Sequence, residues 1–275
     1  MACSDSDYEY LRELVLAQSA NVIDPSRNGL FESKLTPVVR LAGASNLEQF
    51  VKILRVERRP QLQRAVAEAM TINETSFFRD RTSFEMLRET IFPALIRLRE
   101  RERRLRIWSA ASSTGQEAYS LGMMLCENFP LLSDWDIKII GTDLSREVVE
   151  TARRGRYRRL EVNRGLPVQM LVKYLTRHGE EWEMNARVRA MCEFMQVNLC
   201  GVLPEMPVFD LVLLRNVLLY FPRQDRTHVF REVRRRMAPE GYLMLGNAEQ
   251  AEDSTKLFHV EFSSGCYFYR PVNTA

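Results

Sequence analysis

From residue 105 onward, short apolar runs alternate with amphipathic stretches, and this alternation restricts the fold more than any other feature of the chain. The strand candidates are 105–111, 137–144, 194–199, 209–216, 242–247, 258–262 and 266–271. The stretches with helical periodicity lie at about 116–129, 145–154 and 223–238. Leu211 to Leu214 are apolar on both faces, as in a parallel sheet covered by helices on both sides. We therefore predict a doubly wound α/β domain that ends in an antiparallel hairpin.

The N-terminal quarter has only helical periodicity. Its apolar residues recur at helical spacing in three stripes, the first around Leu11 and the last around Val66. Asp7 and Asn46 stand where helix N-caps belong. We expect residues 1–72 to form a small helical domain.

One interval in the α/β part is too long for a single helix and its loops, since about 50 residues separate the second strand from the third. Apolar and polar residues alternate from Trp182 to Ala190, which is the pattern of a half-buried antiparallel strand. We predict an inserted antiparallel β-subdomain over about 167–196. An edge extension of the main sheet is the alternative.

Composition narrows the functional classes. No apolar stretch approaches the roughly 20 residues that span a bilayer, and the first residues are acidic, unlike the start of a signal peptide. We expect a cytoplasmic protein. The five cysteines lack C-x-x-C spacing and the three histidines lie far apart, so neither a disulfide framework nor a metal site is indicated.

Arginine dominates the basic residues, since only 5 of the 39 are lysine. One cluster comprises Arg55, Arg58 and Arg59. Arginine binds carboxylates and phosphates through paired N–H groups, so an acidic protein surface and nucleic acid are both possible partners. A solvated helix face is the plainer alternative.

Polar residues follow four of the predicted strands, where open α/β sheets bind their ligands. They are Ser109 to Glu117 after the first, Asp143 after the second, Asn198 after the third, and Arg215 with Asn216 after the fourth. Asp143 stands where an acidic residue accepts from ribose hydroxyls. Capping of the next helix is its alternative role.

The loop at 109–117 has one glycine, whereas a loop that cradles pyrophosphate needs several. Small residues followed by Glu117 suit a nucleoside with an amino-acid tail, because a carboxylate can meet an ammonium group. S-adenosylmethionine is such a ligand.

Five segments, taken together, resemble the CheR-type chemotaxis receptor methyltransferases. They are NETSFFRD (73–80), WSAASSTGQEAYSLGM (108–123), GTDLSREVVETARRGRY (141–157), the NL of VNLC (197–200) and FDLVLLRNVLLYF (209–221). The resemblance implies a helical domain over 1–72 and an interdomain segment over 73–84 that contributes to the cofactor site. It also implies a Rossmann-like S-adenosylmethionine domain over 85–275 that carries the β-subdomain.

The resemblance also implies roles for individual residues. The implied cofactor contacts are Asn73, Thr75 and Arg79 in the interdomain block, Glu117 and Asp143 at the methionyl and ribose ends, and Asn198, Leu199, Arg215 and Asn216 around the nucleoside. Tyr220 lies in the family's region near the transferred methyl group. A core tyrosine is the alternative for Tyr220.

The implied reaction transfers a methyl group from S-adenosylmethionine to receptor glutamates, giving glutamate methyl esters and S-adenosylhomocysteine without a metal. The implied partner is the cytoplasmic domain of chemotaxis receptors, which would bring the protein to membrane receptor arrays without inserting it in the membrane. Arg55, Arg58 and Arg59 would guide docking to an acidic receptor helix. We expect no nucleic-acid partner.

Two substitutions depart from the family pattern without removing a polar contact, namely Ala118 in place of proline and Leu214 in place of cysteine. The stretch between Tyr174 and Asn198 is shorter than in members that grip a receptor's C-terminal tether peptide, which argues against tether binding. Three alternatives stay open: a methyltransferase acting on another protein or a small molecule, a non-enzymatic signalling adaptor, and a nucleic-acid methyltransferase.

Overall fold

The N-terminal part of the chain is a helical bundle. The computed structural model describes residues 3–251, 256–263 and 265–272, so the predicted ranges 1–72 and 85–275 each include a few residues outside the described part. The helices of the N-terminal bundle are α1 (Asp5–Ser19), α2 (Gly29–Leu41), α3 (Leu47–Glu57) and α4 (Pro60–Ala69). Their apolar stripes bury Leu11, Phe31, Phe50 and Val66 in one cluster.

Helix α1 begins one turn earlier than we predicted. Its N-cap is Ser4, and Asp7 is the third helical residue, so the predicted Asp7 cap is wrong. The Asp7 amide donates to Ser4 Oγ at 3.3 Å, and the Asp7 carboxylate accepts from the Ser4 amide at 3.2 Å. The two residues form a capping box, in which the acidic residue is the reciprocal partner of the cap. Asn46 caps α3 as predicted.

The rest of the chain contains a mostly parallel sheet with helices around it. The strands are β1 (Arg104–Ala110), β2 (Asp136–Asp143), β3 (Arg156–Arg158), β4 (Leu175–His178), β5 (Glu181–Met184), β6 (Cys192–Gln196), β7 (Phe209–Leu214), β8 (Met237–Leu245), β9 (Phe258–Ser263) and β10 (Cys266–Pro271). The helices are α5 (Arg81–Met86), α6 (Phe92–Leu98), α7 (Gln116–Asn128), α8 (Arg146–Arg154), α9 (Arg159–Val162), α10 (Val168–Tyr174), α11 (Ala186–Met191) and α12 (Arg223–Arg235).

The main sheet has the strand order β6-β2-β1-β7-β8-β10-β9. The pairs from β6 to β8 are parallel, and β10 pairs antiparallel with both β8 and β9. Alternate residues of β1 lie on opposite faces: Ile107 packs in the cluster that contains α7 residues, and Trp108 packs in the cluster that contains Phe230 of α12. The predicted doubly wound α/β fold and its closing hairpin are therefore confirmed.

A separate antiparallel sheet of order β3-β5-β4 forms the predicted β-subdomain, but its limits differ from the prediction. Its first strand begins at Arg156, ahead of residue 167, and β6 pairs with the edge of the main sheet instead. The strand predicted from Trp182 to Ala190 is right only as far as Met184. Residues 186–191 form α11, because Asn185 caps a short run rich in good helix formers.

The helical bundle is bonded to the α/β part along one edge. Glu68 of α4 accepts from the Arg146 amide at 3.0 Å and from Gln196 Nε2 at 2.8 Å. Asn198 Nδ2 donates to the Gln18 carbonyl at 2.7 Å. The bundle thus covers one side of the carboxyl edge of the sheet. None of the helices in the described part of the chain has the length and the apolar composition that spanning a bilayer requires.

Candidate functional site

A cavity with about 910 Å³ of empty space, open solvent at its mouth included, lies between the helical bundle and the carboxyl ends of the parallel strands. The structure brings all ten residues predicted to bind the cofactor or position the methyl group to its wall. They are Asn73, Thr75, Arg79, Glu117, Asp143, Asn198, Leu199, Arg215, Asn216 and Tyr220.

The three arginines predicted to dock the receptor lie outside this cavity. Arg55, Arg58 and Arg59 are exposed at the end of α3 and the start of α4. Arg55 donates to the Ser6 carbonyl at 2.9 Å and lies over the Tyr10 ring. The surface that they form is therefore separate from the cavity wall.

The loop between β1 and α7 owes its single glycine to backbone geometry. Gly115 is the N-cap of α7 with φ of +91°, and a Cβ there would lie 2.9 Å from Ala152 Cβ. Ala111 and Ser113 also have positive φ, at 61° and 50°. Such conformations cost energy in residues other than glycine and tend to occur at functional sites. The loop is tightly folded against the cavity.

Asp143 ends β2 with its carboxylate almost buried, at 8% exposure. Oδ2 accepts from the Ser113 amide at 2.9 Å and Oδ1 accepts from the Ser145 amide at 3.0 Å. Burial raises the pKa of Asp143, and these backbone hydrogen bonds oppose the rise. Since a carboxylate has about four acceptor positions, Asp143 retains acceptor capacity for a ligand. Ribose hydroxyls would suit it.

Arg215 is the buried cation of the site, with a side chain only 2% exposed. Its guanidinium donates to Glu117 Oε2 and to Asp80 Oδ2, each at 2.8 Å, and to the Arg79 carbonyl at 2.9 Å. Ser109 Oγ donates to the other oxygen of Glu117 at 2.7 Å. Glu117 is therefore held by an ion pair and retains about two acceptor positions.

Sequence reasoning assigned no site role to Asp80, and it identified Ser109 only as the first residue of the polar stretch 109–117. Asp80 closes the NETSFFRD segment, so its place in that segment was the available signal. Ser109 gave no signal beyond its position at the end of a predicted strand.

Asn198 and Tyr220 have protein partners as well as positions on the cavity wall. The Asn198 amide donates to Gln18, and its Oδ1 accepts from the Cys200 amide at 3.0 Å. Tyr220 is half-buried at the end of a short 3-10 turn, and its carbonyl accepts from the Val22 amide at 3.0 Å. Tyr220 is thus not a core tyrosine, and it joins the cavity wall to the helical bundle.

The residues present fit a nucleoside that carries a charged amino-acid tail. Leu199, Ile72 and Leu144 supply apolar surface, while carboxylates and the Arg79 guanidinium supply partners for charged groups. Three buried side-chain polar atoms of the lining residues lack a hydrogen-bond partner within the described part of the chain: Asn21 Oδ1, Ser112 Oγ and Arg215 Nε. Such atoms concentrate where a bound group or water completes the hydrogen bonding.

Across the residues that the structure describes, no group of three or more histidine, cysteine, aspartate or glutamate side chains could hold a metal ion.

Comparison with known proteins places the cavity in a recognised family domain. The CheR methyltransferase, SAM (S-adenosylmethionine) binding domain matches residues 73–266, a range that includes all ten of the lining residues named above. Chemotaxis protein methyltransferase 1 of Pseudomonas aeruginosa is 34% identical over 254 residues, covering 90% of this chain and 92% of that protein.

Two further relatives match over a similar length. Chemotaxis protein methyltransferase Cher2 of Pseudomonas putida is 32% identical over 90% of this chain and 92% of its own. The chemotaxis protein methyltransferase of Vibrio parahaemolyticus is 30% identical over 94% of each chain. The similarity therefore spans the helical bundle as well as the α/β part.

Proposed function

This chain belongs to the CheR family of S-adenosylmethionine-dependent methyltransferases, and we propose that it methylates the side-chain carboxylates of glutamates on the cytoplasmic part of chemotaxis receptors. The products are glutamate methyl esters and S-adenosylhomocysteine. One observation carries the proposal: ten residues from the interdomain block and four strand ends line a single cavity. Methylation of this kind would adjust receptor sensitivity, and its receptor substrate would place the protein in the cytoplasm.

Bound S-adenosylmethionine supplies the activated methyl group. We assign the remaining acceptor capacity of Asp143 to ribose hydroxyls, and the apolar face of Leu199 to the base. Glu117 and Arg79 would meet the ammonium and carboxylate of the methionyl tail. Each of these side chains except Leu199 also has a protein hydrogen bond that fixes its orientation, so the site is preorganised.

The reaction requires no general base, because a glutamate with an ordinary pKa of about 4.3 is already ionised at neutral pH. The chain's task is then to orient the carboxylate oxygen toward the methyl group and to exclude water. Positioning of two reactants can contribute roughly 7 to 11 kcal/mol to catalysis. Tyr220, half-buried on the cavity wall, is our candidate for contacting the glutamate at the methyl end.

The arginine surface of Arg55, Arg58 and Arg59 would guide an acidic receptor helix toward the cavity. Electrostatic guidance raises association rates and weakens as salt increases. Changing all three residues to glutamate should lower kcat/KM for receptor while leaving the affinity for S-adenosylhomocysteine unchanged.

A matched control for the arginine surface changes Arg97, Arg101 and Arg104 to glutamate. These residues are also exposed, but they lie at the opposite edge of the sheet, before or at the start of β1. Equal effects of the two triple variants on receptor methylation would reject the docking surface.

A transfer assay with labelled S-adenosylmethionine and receptor cytoplasmic fragments tests the function itself. We expect base-labile label on glutamates, to the same extent with and without the C-terminal tether peptide. If the protein binds S-adenosylhomocysteine but labels none of the receptor fragments, the substrate is another protein or a small molecule. A dependence on the tether peptide would instead reverse our expectation about tether binding.

A further inference from the structure

The Glu249 carboxylate lies directly behind the loop that follows β7. It is 7% exposed and comes from the turn after β8, the neighbouring strand. Oε1 accepts from the Val217 amide at 2.8 Å and from the Leu218 amide at 2.7 Å. Oε2 accepts from the Asn216 amide at 2.6 Å and from the Gly246 amide at 2.8 Å. All four acceptor positions of the carboxylate are thus filled by backbone N–H groups.

Three of these donors are consecutive in the chain, at residues 216–218. Successive backbone N–H groups that converge form a concave site for an anion, and here the anion is a side chain of the same protein. Asn216 has a φ of 60°, a conformation that non-glycine residues adopt only when their surroundings enforce it. Hydrogen bonds to a charged acceptor are stronger than neutral ones. The carboxylate therefore fixes the backbone of this loop.

Gly246 packs closely against both the loop and the Glu249 carboxylate. A Cβ at this position would lie 2.7 Å from both Asn216 Nδ2 and Glu249 Oε2. Real Cβ atoms are not found so close to other heavy atoms, so a larger residue would displace either the carboxylate or the loop.

The loop fixed in this way forms part of the cavity wall. Arg215, Asn216, Val217 and Tyr220 all line the cavity, whereas Glu249 lines a neighbouring crevice with Leu218. Glu249 therefore does not line the cavity itself, and it can affect the site only by holding the loop.

We propose that Glu249 is a positioning residue for cofactor binding and methyl transfer, because its charge holds the loop at 215–220 in the conformation that shapes the cavity. The part concerning methyl transfer rests on the proposed function. The part concerning the cofactor is independent of the receptor substrate.

Glu249→Gln tests the proposal with little change of shape. In the carboxamide, an NH₂ group replaces one of the two acceptor oxygens of the carboxylate. This NH₂ group would face two backbone N–H donors and could not accept from them. We expect the Kd for S-adenosylhomocysteine to rise about tenfold or more, and kcat to fall as well. Glu240→Gln is the control, since Glu240 is on β8 but half-exposed, with Arg99 at 3.8 Å. The Kd of the Glu240→Gln protein for S-adenosylhomocysteine should stay within about twofold of the value for the unchanged protein.

Two further measurements separate positioning from a general loss of stability. Calorimetry is done at a temperature where circular dichroism shows each variant fully folded, so that instability alone leaves Kd unchanged. Hydrogen exchange of the peptide that contains residues 216–218 should be faster in Glu249→Gln and unaltered in Glu240→Gln. Gly246→Ala should reproduce both effects, which keeps the test valid if Glu249→Gln folds poorly.

Folded Glu249→Gln and Gly246→Ala proteins with unchanged Kd and unchanged exchange at 216–218 would overturn the proposal. Its failure can be told apart from failure of the proposed function. If the unchanged protein methylates no receptor but binds S-adenosylhomocysteine, the receptor assignment fails while a raised Kd in Glu249→Gln still supports the positioning role.

Discussion

At the scale of single residues, the site is organised around one buried cation with two carboxylate partners. Arg215 contacts Glu117 and Asp80 at equal distances, and Glu117 also accepts from Ser109. Removal of one partner from a buried ion pair is costly because the remaining charge is left without compensation. Glu117 therefore has a structural role in addition to its proposed contact with the cofactor.

Glu117→Ala should lower the free energy of unfolding by about 3 kcal/mol, at the low end for a buried pair because Asp80 remains. The Kd for S-adenosylhomocysteine should rise at least about tenfold. Urea denaturation and calorimetry measure the two effects. Glu147→Ala is the control, as Glu147 is an exposed glutamate in the first turn of the next helix. Unchanged binding by Glu117→Ala would show that the network is not part of the cofactor site.

Asp143 provides a prediction about pH. Its folded-state pKa is raised by burial above the ordinary 3.8, so ionisation of this carboxyl destabilises the folded protein. The stability that it contributes is present below the ordinary pKa and is lost as pH rises through the folded pKa. Relative to Asp143→Asn, the unchanged protein should become more stable as pH falls from about 7 toward about 4.

Urea denaturation of both proteins across this pH range measures the difference directly. A difference in unfolding free energy that is constant with pH, or that changes in the opposite direction, would contradict the assignment of a raised pKa to Asp143.

At the scale of elements, the turn into α7 depends on Gly115 for two separable reasons. Its φ is positive, and an added Cβ would meet Ala152 at 2.9 Å. Gly43 has a comparable φ of +73°, but nothing lies within 4 Å of its Cβ position. An alanine at position 43 would therefore cause backbone strain alone, whereas an alanine at position 115 would cause both strain and crowding.

Gly43→Ala should lower the unfolding free energy by about 1 to 2 kcal/mol, the cost of a left-handed conformation. Gly115→Ala should cost about 1 to 3 kcal/mol more, because the methyl group must displace packed neighbours. Thermal or urea denaturation of both variants checks the difference. Equal losses would mean that Ala152 and Phe194 shift without cost.

The seven strands of the main sheet could be predicted because their runs are apolar on one or both faces. The start of β8 was not predicted, since Met237 lies at the end of a stretch with helical periodicity. Residues 186–191 were assigned to a strand because six residues are too few to separate a period of 2 from one of 3.6. Asp7 was taken as a cap because a capping box places polar residues at both of its ends.

The residues that line the cavity could be predicted, but the hydrogen bonds and ion pairs among them and behind them could not. Residues at the ends of parallel strands meet by topology, which is why Asp143 and Arg215 were identified. Glu249 and Asp80 act through backbone amides and a buried guanidinium, and their contacts depend on how two loops pack. Spacing along the chain contains no signal for such contacts.

At the scale of the whole molecule, the cavity belongs to both parts of the chain. The helical bundle contributes Ser19, Asn21 and Thr71 to its wall, and the α/β part contributes the strand ends. A ligand bound between the two parts stabilises the folded state by about 2.7 kcal/mol at a concentration 100 times its Kd. Both walls of the cavity should therefore open less often.

S-adenosylhomocysteine should therefore slow hydrogen exchange both in the segment 71–75 and in the loop 111–117. The hairpin of β9 and β10 is the internal control, because none of its described residues lines the cavity. Protection confined to 111–117 would mean that the helical bundle takes no part in binding.

A crystal structure of the protein with S-adenosylhomocysteine tests the central claim most directly, since the proposed roles of the lining residues depend on this cavity being the cofactor site. We expect the ribose hydroxyls within about 3.2 Å of the Asp143 carboxylate, the base against Leu199, and the ligand also in contact with the segment from Asn73 to Arg79. Density for the ligand at another place, or a helical bundle turned away from the cavity in the complex, would contradict the account.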